Sequence, residues 1–404
     1  MIVSNLADEF LKAEPVIKAI EEAGFEAYFV GGSVRDTILG LPIHDVDIAT
    51  SAYPEEIKEI FNKTVDTGIQ HGTVMVLDHG EGYEITTFRT ESTYQDFRRP
   101  DHVEFVRSLE EDLKRRDFTI NALAMTHEGQ IIDLFDGLQD LENHIIRAVG
   151  EADERFNEDA LRMMRAIRFA SQLDFSIEEK TTIALKKHAS LLKKIAIERI
   201  HIEFVKLLLG KNPKTGLQHF MTADLARYCP EFDSYRSELT DMATLDSIKL
   251  SSESAAWSLV IHVLKVSESD ISHFLVAWKS SNELISNVQA VIRALNSILD
   301  KTIDRELMYE TGLELLLTAN EIATIFNRNI PIEILEGDYE QLPIKSKKEM
   351  LVNGGQLIKE VGIQPGEKLG RILAVLEHQV LMEKIPNEST QLLKLAERLA
   401  SELD

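Results

Sequence analysis

A single cysteine in 404 residues, Cys229, leaves no partner for an internal disulfide and too few thiolates for a cysteine-based zinc cluster. A lone cysteine of this kind reads as a buried structural thiol. No stretch approaches the roughly 18 to 20 uninterrupted apolar residues that cross a bilayer, and Met1 to Phe10 lacks the basic and apolar regions of a secretory signal, so a cytoplasmic protein is expected. Positive charge is also scarce. Forty-four Lys and Arg stand against 68 Asp and Glu, a net charge of -24, which excludes a surface that is basic all over. Such a balance still accommodates a local basic track, and Arg98, Arg99, Arg107, Lys114, Arg115 and Arg116, followed by Arg162, Arg165 and Arg168, supply one. Internal repeats and low-complexity linkers are absent too.

The chain is long enough for two to four domains, and its 44% apolar content is that of a globular protein with buried cores. Up to about residue 145, strand-like runs at Tyr28 to Val30, Asp45 to Ala49, Thr73 to Leu77, Tyr83 to Phe88 and Ile131 to Asp133 interleave with helical stretches at Ala13 to Ala23 and Pro54 to Phe61. After Gly150 the strand signals nearly vanish and amphipathic helical patterns take over, as in Phe156 to Leu173 and Ile200 to Leu209. A mixed α/β head followed by an all-helical remainder is therefore predicted. Gly210, Pro213 and Gly216 punctuate one boundary, and Ile330, Pro331 and Pro343 another.

Three segments carry chemistry. In FVGGSVRDTILGLPIHDVDIAT, Phe29 to Thr50, a strand leads through Gly31 and Gly32 into a helix from Ser33 to Leu39, and a second strand from His44 to Ala49 would set Asp45 and Asp47 on one face. Paired carboxylates repel unless a cation lies between them. Beside a glycine turn opening a helix, they suit a nucleoside triphosphate with Mg²⁺, the backbone N–H groups receiving phosphate and the carboxylates holding metal. Taken alone, Asp-x-Asp is more often two solvated aspartates on a surface strand; the upstream turn reverses that balance. In RRDFTINALA, Arg115 to Ala124, a helix would begin at Arg116 and Asp117 and place Asn121 on the same face, a polar surface suited to ribose hydroxyls and phosphate. An aspartate near a helix start with solvated arginines explains it equally well. In EDALRMMRAIRFA, Glu158 to Ala170, helical spacing winds Asp159, Arg162, Arg165 and Arg168 into one polar stripe, with Leu161, Met164, Ile167 and Phe169 covering much of the remainder. By pattern alone this is an ordinary amphipathic helix with i,i+4 pairs such as Glu158 with Arg162.

These motifs, together with DLFDGLQDL (Asp133 to Leu141) and ERIHIEF (Glu198 to Phe204), stand in the order and spacing of the class II tRNA nucleotidyltransferases, and the chain resembles the bacterial CCA-adding members most closely. The resemblance covers residues 29 to 204. Several of the motifs are shared with bacterial poly(A) polymerases and with relatives that add only CC or only A. It implies an α+β chain: a polymerase β-like nucleotidyltransferase head over 1–145, a helical neck with a nucleotide-templating helix over 146–210, a body over 211–300 and a tRNA-binding tail over 301–404, arranged as a seahorse. It further implies that Gly32 and Arg35 contact the nucleotide and that Asp45 and Asp47 ligate two catalytic Mg²⁺ ions. Arg116 and Asp117 would lie at the triphosphate and ribose, Asp159 and Arg162 would serve as an amino-acid template for the base, and Arg165 and Arg168 would lie on the nucleotide or RNA backbone. Asp133 to Leu141 would be the hinge between head and neck, and Glu198 to Phe204 a brace. CTP and ATP are the implied substrates, tRNA the partner, and a homodimer the assembly.

The template assignment has a chemical rationale. Cytosine and adenine both present an exocyclic amino group beside an unprotonated ring nitrogen, so an Asp can accept from the first and an Arg donate to the second. Uracil and guanine present carbonyl and N–H in the reverse order. Buried mismatches of this kind let a polar site reject analogues by ~10⁴-fold. The charged, hydroxyl-rich segment RTESTYQDFRRPD, Arg89 to Asp101, reads as a mobile loop between strands. Its Arg89-Thr90-Glu91 is similar to the basic-x-acidic element of full CCA-adding relatives, which favours complete CCA addition. Asp36 would orient Arg35 or cap local backbone, and Glu84, on a later strand, is a candidate third carboxylate. The only His-Asp dipeptide, His44-Asp45, lies inside the nucleotide motif, so no appended metal hydrolase is expected. Two other classes stay open: a poly(A) polymerase sharing the head, and a non-enzymatic RNA-binding or nucleotide-sensing protein, against which the intact Asp45 and Asp47 argue.

Overall fold

The computed structural model describes residues 1–43, 45–91 and 103–402, and of Glu91 the backbone only. His44, Arg98, Arg99 and most of the expected mobile loop lie outside the described residues. The chain divides into two units, Met1–Leu245 and Asp246–Asp404.

In the first unit, helix α1 (Asp8–Glu22) buries Phe10, Ala13, Val16, Ile17 and Ile20 at helical spacing. Strand β1 (Ala27–Val30) then leads into α2 (Gly32–Ile38), followed by β2 (Asp47–Thr50), α3 (Pro54–Ile60), β3 (Thr64–Gly68), β4 (Thr73–Asp78) and β5 (Glu81–Thr87). A separate pair, β6 (Arg89–Glu91) with β7 (Val103–Phe105), precedes α4 (Leu109–Lys114), β8 (Leu123–Met125), β9 (Ile131–Asp133) and α5 (Gly137–Glu142). Seven strands form one sheet in the order β3-β4-β5-β2-β1-β8-β9, with β2 in the middle and only the β2–β5 pairing parallel. Val30 sits opposite Asp47 on one side and Ala124 on the other. That register brings the glycine turn, the Asp47 carboxylate and the segment before β8 to one end of the sheet. Beneath them Val30, Ala49, Phe88, Leu109, Leu113, Ala122, Ala124 and Val149 pack into a core cluster, which fixes α4 against the sheet.

Three local expectations are corrected. The second strand begins at Asp47, not at residue 44, so Asp45 and Val46 precede it. RRDFTINALA is not a helix: α4 ends at Lys114, Thr119–Asn121 is a single 3₁₀ turn, and Leu123–Met125 is a sheet strand. Its backbone finds partners elsewhere, since Phe118 N–H donates to the Asp117 side chain at 2.9 Å, Thr119 N–H to the Arg147 carbonyl at 2.9 Å, and Val149 N–H to the Asp117 carbonyl at 3.2 Å. Finally, the helix expected from Phe156 to Leu173 is two, α6 (Ala152–Glu158) and α7 (Leu161–Leu173), interrupted by Asp159 in an extended conformation with φ -131° and ψ 105°.

A two-stranded parallel pair, β10 (Ile145–Ile146) with β11 (Ser176–Ile177), lies where strands give way to helices. Helices α8 (Glu179–His188), α9 (Ile197–Leu208), α10 (Pro213–Thr222) and α11 (Arg236–Met242) follow, with α7 packed on α9 and α10. The Asp133 carboxylate accepts from the N–H groups of Phe135, Gly137 and Leu138 at 2.9 to 3.2 Å and so starts α5. On α5, buried Asp140 accepts from Thr119 Oγ1 at 2.6 Å and from Arg147 Nε at 3.0 Å, and Arg147 reaches on to Glu178 at 2.8 Å. Gly137 lies so close that a Cβ there would stand 2.3 Å from the Thr119 carbonyl oxygen. The segment Asp133 to Leu141 is thus tied to the turn before β8 and to the first residues beyond the sheet.

In the second unit the helices Glu253–Val263, Asn282–Asp300 and Leu313–Ile325 pack on one another, with Trp257 and Trp278 fully buried and their rings 4.9 Å apart. Among the described residues no strand follows Ile177, as the loss of strand signals predicts, and no helix is long and apolar enough to cross a membrane. Cys229 is buried and unpaired; burial pushes its thiol well above the ordinary range.

Candidate functional site

At the sheet end, Gly31 adopts φ 75° and ψ -136°, a conformation that favours glycine. A Cβ there would lie 3.1 Å from Arg116 Nη1 and 3.8 Å from Asp47 Oδ2, so bare backbone is what this corner can hold. One turn into α2, Arg35 is buried. It donates from Nε to Asp36 Oδ1 at 2.9 Å and from Nη1 to Asn121 Oδ1 at 2.7 Å, which makes Asp36 an orienting partner of Arg35.

Asn121 in turn donates to Asp117 Oδ1 at 3.0 Å, and Arg165 on α7 donates from Nε to Asp117 Oδ2 at 2.7 Å. Burial disfavours a charge on Asp117, 8% exposed, but the Arg165 guanidinium, the Asn121 amide and the Arg162 charge outweigh it and hold the carboxyl down at about 2. Asp117 and Asn121 do meet, through a turn instead of along a helix face. Arg115 and Arg116 are anchored by Asp112 of α4, 1% exposed, at 2.7 and 3.2 Å. Sequence reasoning passed over Asp112, although its spacing of three and four residues from the two arginines is the signal of helical ion pairing.

Asp159 is held at both oxygens. Oδ1 accepts from Leu161 N–H at 2.9 Å, ending the break between α6 and α7, and Oδ2 accepts from Arg199 Nη2 of α9 at 3.0 Å. Arg162 donates to Glu158 Oε2 at 2.5 Å, the i,i+4 pair foreseen from spacing, and to the Arg115 carbonyl at 2.8 Å. Farther along α7, Arg168 pairs with buried Glu203 of α9 at 3.0 Å. Arg199 and Glu203 were also passed over as site residues, though they stand four apart on one helix within the segment expected to act as a brace.

One cleft of about 760 Å³ is lined by Gly31, Gly32, Arg35, Asp47, Arg116, Asp117, Asn121, Asp159, Arg162, Arg165, Arg168 and Phe169, and also by Arg89, Arg115 and Arg199, while Asp36, Asp112, Glu158 and Glu203 support its arginines from behind. Eight arginines and three aspartates thus face a single hollow in a protein of net charge -24. Arg89 also donates to the His71 carbonyl. The Glu91 backbone pairs with Val103, and its side chain lies outside the description.

Asp45 does not line this cleft. It borders an adjoining hollow of about 380 Å³ with Glu84 and Asp47, and Asp47 lines both. Desolvation raises the Asp47 pKa; Arg116 pulls it down, while Glu84 and Asp45 push it up further, leaving a net rise. Carboxylates that destabilise one another's charge are hard oxygen donors a divalent cation would satisfy. Among the described residues no three His, Cys, Asp or Glu side chains are gathered into a ready metal-binding group. Mg²⁺ does not require one, because it is commonly held through one or two carboxylates with waters and substrate phosphates completing its shell. Asp45, Asp47 and Glu84 fit it in that sense.

Comparison with other proteins places this geometry among relatives. Residues 27–147 match the Poly A polymerase head domain, and residues 248–396 match a second domain of the tRNA nucleotidyltransferases. A CCA-adding enzyme of Ligilactobacillus salivarius is 60% identical over 402 residues, covering 100% of each chain, and one of Latilactobacillus sakei is 55% identical over 397 residues, covering 98% of this chain and 100% of the other. The crystal structure of the Bacillus stearothermophilus CCA-adding enzyme in complex with CTP superposes with a TM-score of 0.87 at 40% identity, covering 98% of this chain and 99% of that one.

The Asp117 carboxylate carries a pH signature. Its pKa, about 2 in the fold, lies below the ordinary value near ~4, so its ionised form stabilises the fold above pH ~4 and that contribution fades as pH falls toward 2. Asp117→Asn is expected to be less stable than the parent by roughly 2 kcal/mol or more at pH 7, with about half of the charge-dependent part gone by pH 3. Urea unfolding of both proteins between pH 7 and pH 3 measures this; a stability gap that does not change with pH would show that the charge is not what holds the site.

Proposed function

The chain belongs to the family of CCA-adding enzymes, and from that premise we propose that the arginine-lined cleft adds C, C and A in turn to the 3′ end of tRNA from CTP and ATP, without a nucleic-acid template and with release of pyrophosphate. The observation that carries this reading is the meeting in one hollow of a bare glycine turn, the Asp47 carboxylate and the Asp159–Arg162 pair. In this reading the backbone at Gly31 and Gly32 faces the triphosphate, and Arg35, Arg116, Arg165 and Arg168 receive its oxygens. Asp117, ionised at neutral pH, would lie at the ribose and hold Asn121 and Arg165 in place there, its oxygens being taken by those two side chains and by Phe118 N–H. Asp45 and Asp47, with Glu84 beside them, would hold Mg²⁺. Bound there, it would supply activation of the tRNA 3′-hydroxyl and neutralisation of charge on the leaving pyrophosphate. The chain's own part is to orient: the tRNA 3′ end meets Asp47 where the two hollows join, while the arginines keep the α-phosphorus in line.

Base choice follows from how the template pair is held. Arg199 and Leu161 N–H leave each Asp159 oxygen a further lone pair, and that carboxylate accepts from the amino group of cytosine or adenine. Arg162, fixed by Glu158 and the Arg115 carbonyl, donates to the adjacent ring nitrogen. Arg89 at the cleft, with Glu91 two residues on, marks the loop we assign to the change from C to A acceptance. Since its substrate would be tRNA, we assign the protein to the cytoplasm.

The deciding assay offers the purified protein tRNA that lacks its CCA end, with nucleotides singly and together. Two C residues from CTP alone, and one A after them when ATP is added, are expected; long A tails from ATP alone would identify a poly(A) polymerase instead. Asp47→Asn should lower addition of C and A alike by at least ~10³-fold with tRNA binding retained, and near-parental turnover in Mg²⁺ would remove Asp47 from the metal site. Asp159→Ala should cut the kcat/KM preference for CTP over UTP by ~10²-fold; an unaltered ratio in the folded variant would exclude it from base reading. Arg89→Ala should slow A addition more than C addition, so that tRNA ending in CC accumulates on gels, whereas equal slowing of all three steps would reduce Arg89 to general binding.

A further inference from the structure

Phe169 lies on α7 and is 5% exposed, and the sequence offers it only as part of that helix's apolar cover. Three guanidinium carbons stand over this one ring: Arg168 at 4.2 Å, Arg35 at 5.0 Å and Arg165 at 5.4 Å from its centroid. Arg35 comes from the helix after the glycine turn, whereas Arg165 and Arg168 come from α7, so the ring is a common neighbour of cations on two separate elements. Each arginine also has an acid of its own, Asp36, Asp117 and Glu203 in turn, but no acid is shared among the three.

Arg168 shows why the ring matters. Its Nε is 3.0 Å from Glu203 Oε2, yet both atoms are buried without a hydrogen bond among the described residues, so the contact is a charge pair lacking direction. Burial lowers the Arg168 pKa to about 10, with Arg165 and Arg35 adding repulsion that Glu203 and Asp117 only partly offset. A crowded guanidinium without a directed partner is free to swing out of line. The electron-rich face of an aromatic ring attracts cations and is itself fixed; an aliphatic side chain of similar bulk fills the same space without that attraction. Phe118, edge-on at 5.9 Å and 83°, holds Phe169 in place from the sheet side.

We propose that Phe169 is a positioning residue whose ring holds Arg35, Arg165 and Arg168 in the spacing that receives the nucleotide's polyphosphate. This rests on the reading that those arginines meet phosphate. This assigns the ring to the phosphate end of the cleft and not to base reading, so its loss should weaken all nucleotides alike.

The test replaces Phe169 with phenylalanines carrying one, two and three ring fluorines, which keep the size nearly constant while withdrawing charge from the face, and adds Phe169→Leu as the limit without a ring. KM for CTP and for ATP should climb stepwise along the series to about tenfold, with kcat changing less and the CTP-to-UTP preference unmoved. The inhibition constant of inorganic tripolyphosphate, which has no base or ribose, should rise in parallel. Flat values across the fluorinated series, with a change only in Phe169→Leu or only in melting temperature, would make the ring ordinary packing and overturn the proposal. Arg165→Lys and Arg168→Lys on the parent keep the two readings apart. If both leave the tripolyphosphate constant unchanged, the phosphate assignment itself fails; if they weaken it while fluorination does nothing, only the role of Phe169 falls.

Discussion

Arg165 reaches into the cleft from α7 and Asn121 from the turn before β8, and both end on the carboxylate of Asp117, which also accepts from Phe118 N–H, while the Asp117 carbonyl accepts from Val149 N–H. A buried carboxylate is expensive unless its charge and lone pairs are matched, and this one is matched by groups from both walls. The walls therefore cannot separate without stranding a charge. Nearly everything else in the site hangs on that pin: Asn121 passes the constraint to Arg35, Arg165 passes it along α7 toward Arg162 and Arg168, and the main chain after Asp117 feeds the strand that borders the glycine turn.

Concentrating arginines on an acidic body raises a second problem, since eight like charges in one hollow repel each other before any substrate arrives. The solution is to assign acids from outside the cleft floor: Asp36 to Arg35, Asp112 to Arg115 and Arg116, Glu158 to Arg162, Glu203 to Arg168. Each pairing uses part of a five-donor fork and leaves other N–H groups for an anion. Arg168 apart, whose contact with Glu203 carries charge without direction, the arginines are thereby aimed in advance, and little reorganisation is left for the moment of binding. The same acids add to the negative total of the chain, so the overall charge conceals the site's own sign.

Periodicity in the sequence made visible those elements whose faces differ in polarity: β1, β4, β5 and β9, the helix after the glycine turn, and the helical remainder. It did not reveal β3, where Val65, Asp66 and Thr67 are exposed and no apolar alternation arises. The helix expected in RRDFTINALA failed for a different reason, because its backbone is paired with residues 147 to 149, partners that no local window contains. The break at Asp159 was hidden because the flanking apolar spacing runs on through it, whereas the side chain's bonds to Leu161 N–H and to Arg199 of α9 engage partners that spacing does not show. Motif residues were thus legible, whereas the residues that aim them, Asp112, Arg199 and Glu203, were not. Their function lies in contacts between elements, and a single chain read in order shows only the near half of each.

How firmly the template pair is tied bears on how one site can take two bases. Asp159 is bound to α9 and to the start of α7, and Arg162 to α6 and to the segment after α4. Neither can change rotamer without giving up a charged partner, so a switch by side-chain flipping is disfavoured by the same interactions that make the pair selective. A purine carries its hydrogen-bonding edge farther from the sugar than a pyrimidine does. With the reading groups fixed at one end and Asp47 fixed by the middle strand at the other, the additional length has to be absorbed between them, by the ribose and phosphates or by a shift of the whole α6–α9 wall. The first alternative moves substrate within a rigid cleft; the second moves Asp159, Arg162 and Arg199 together, because their bonds tie them into one body.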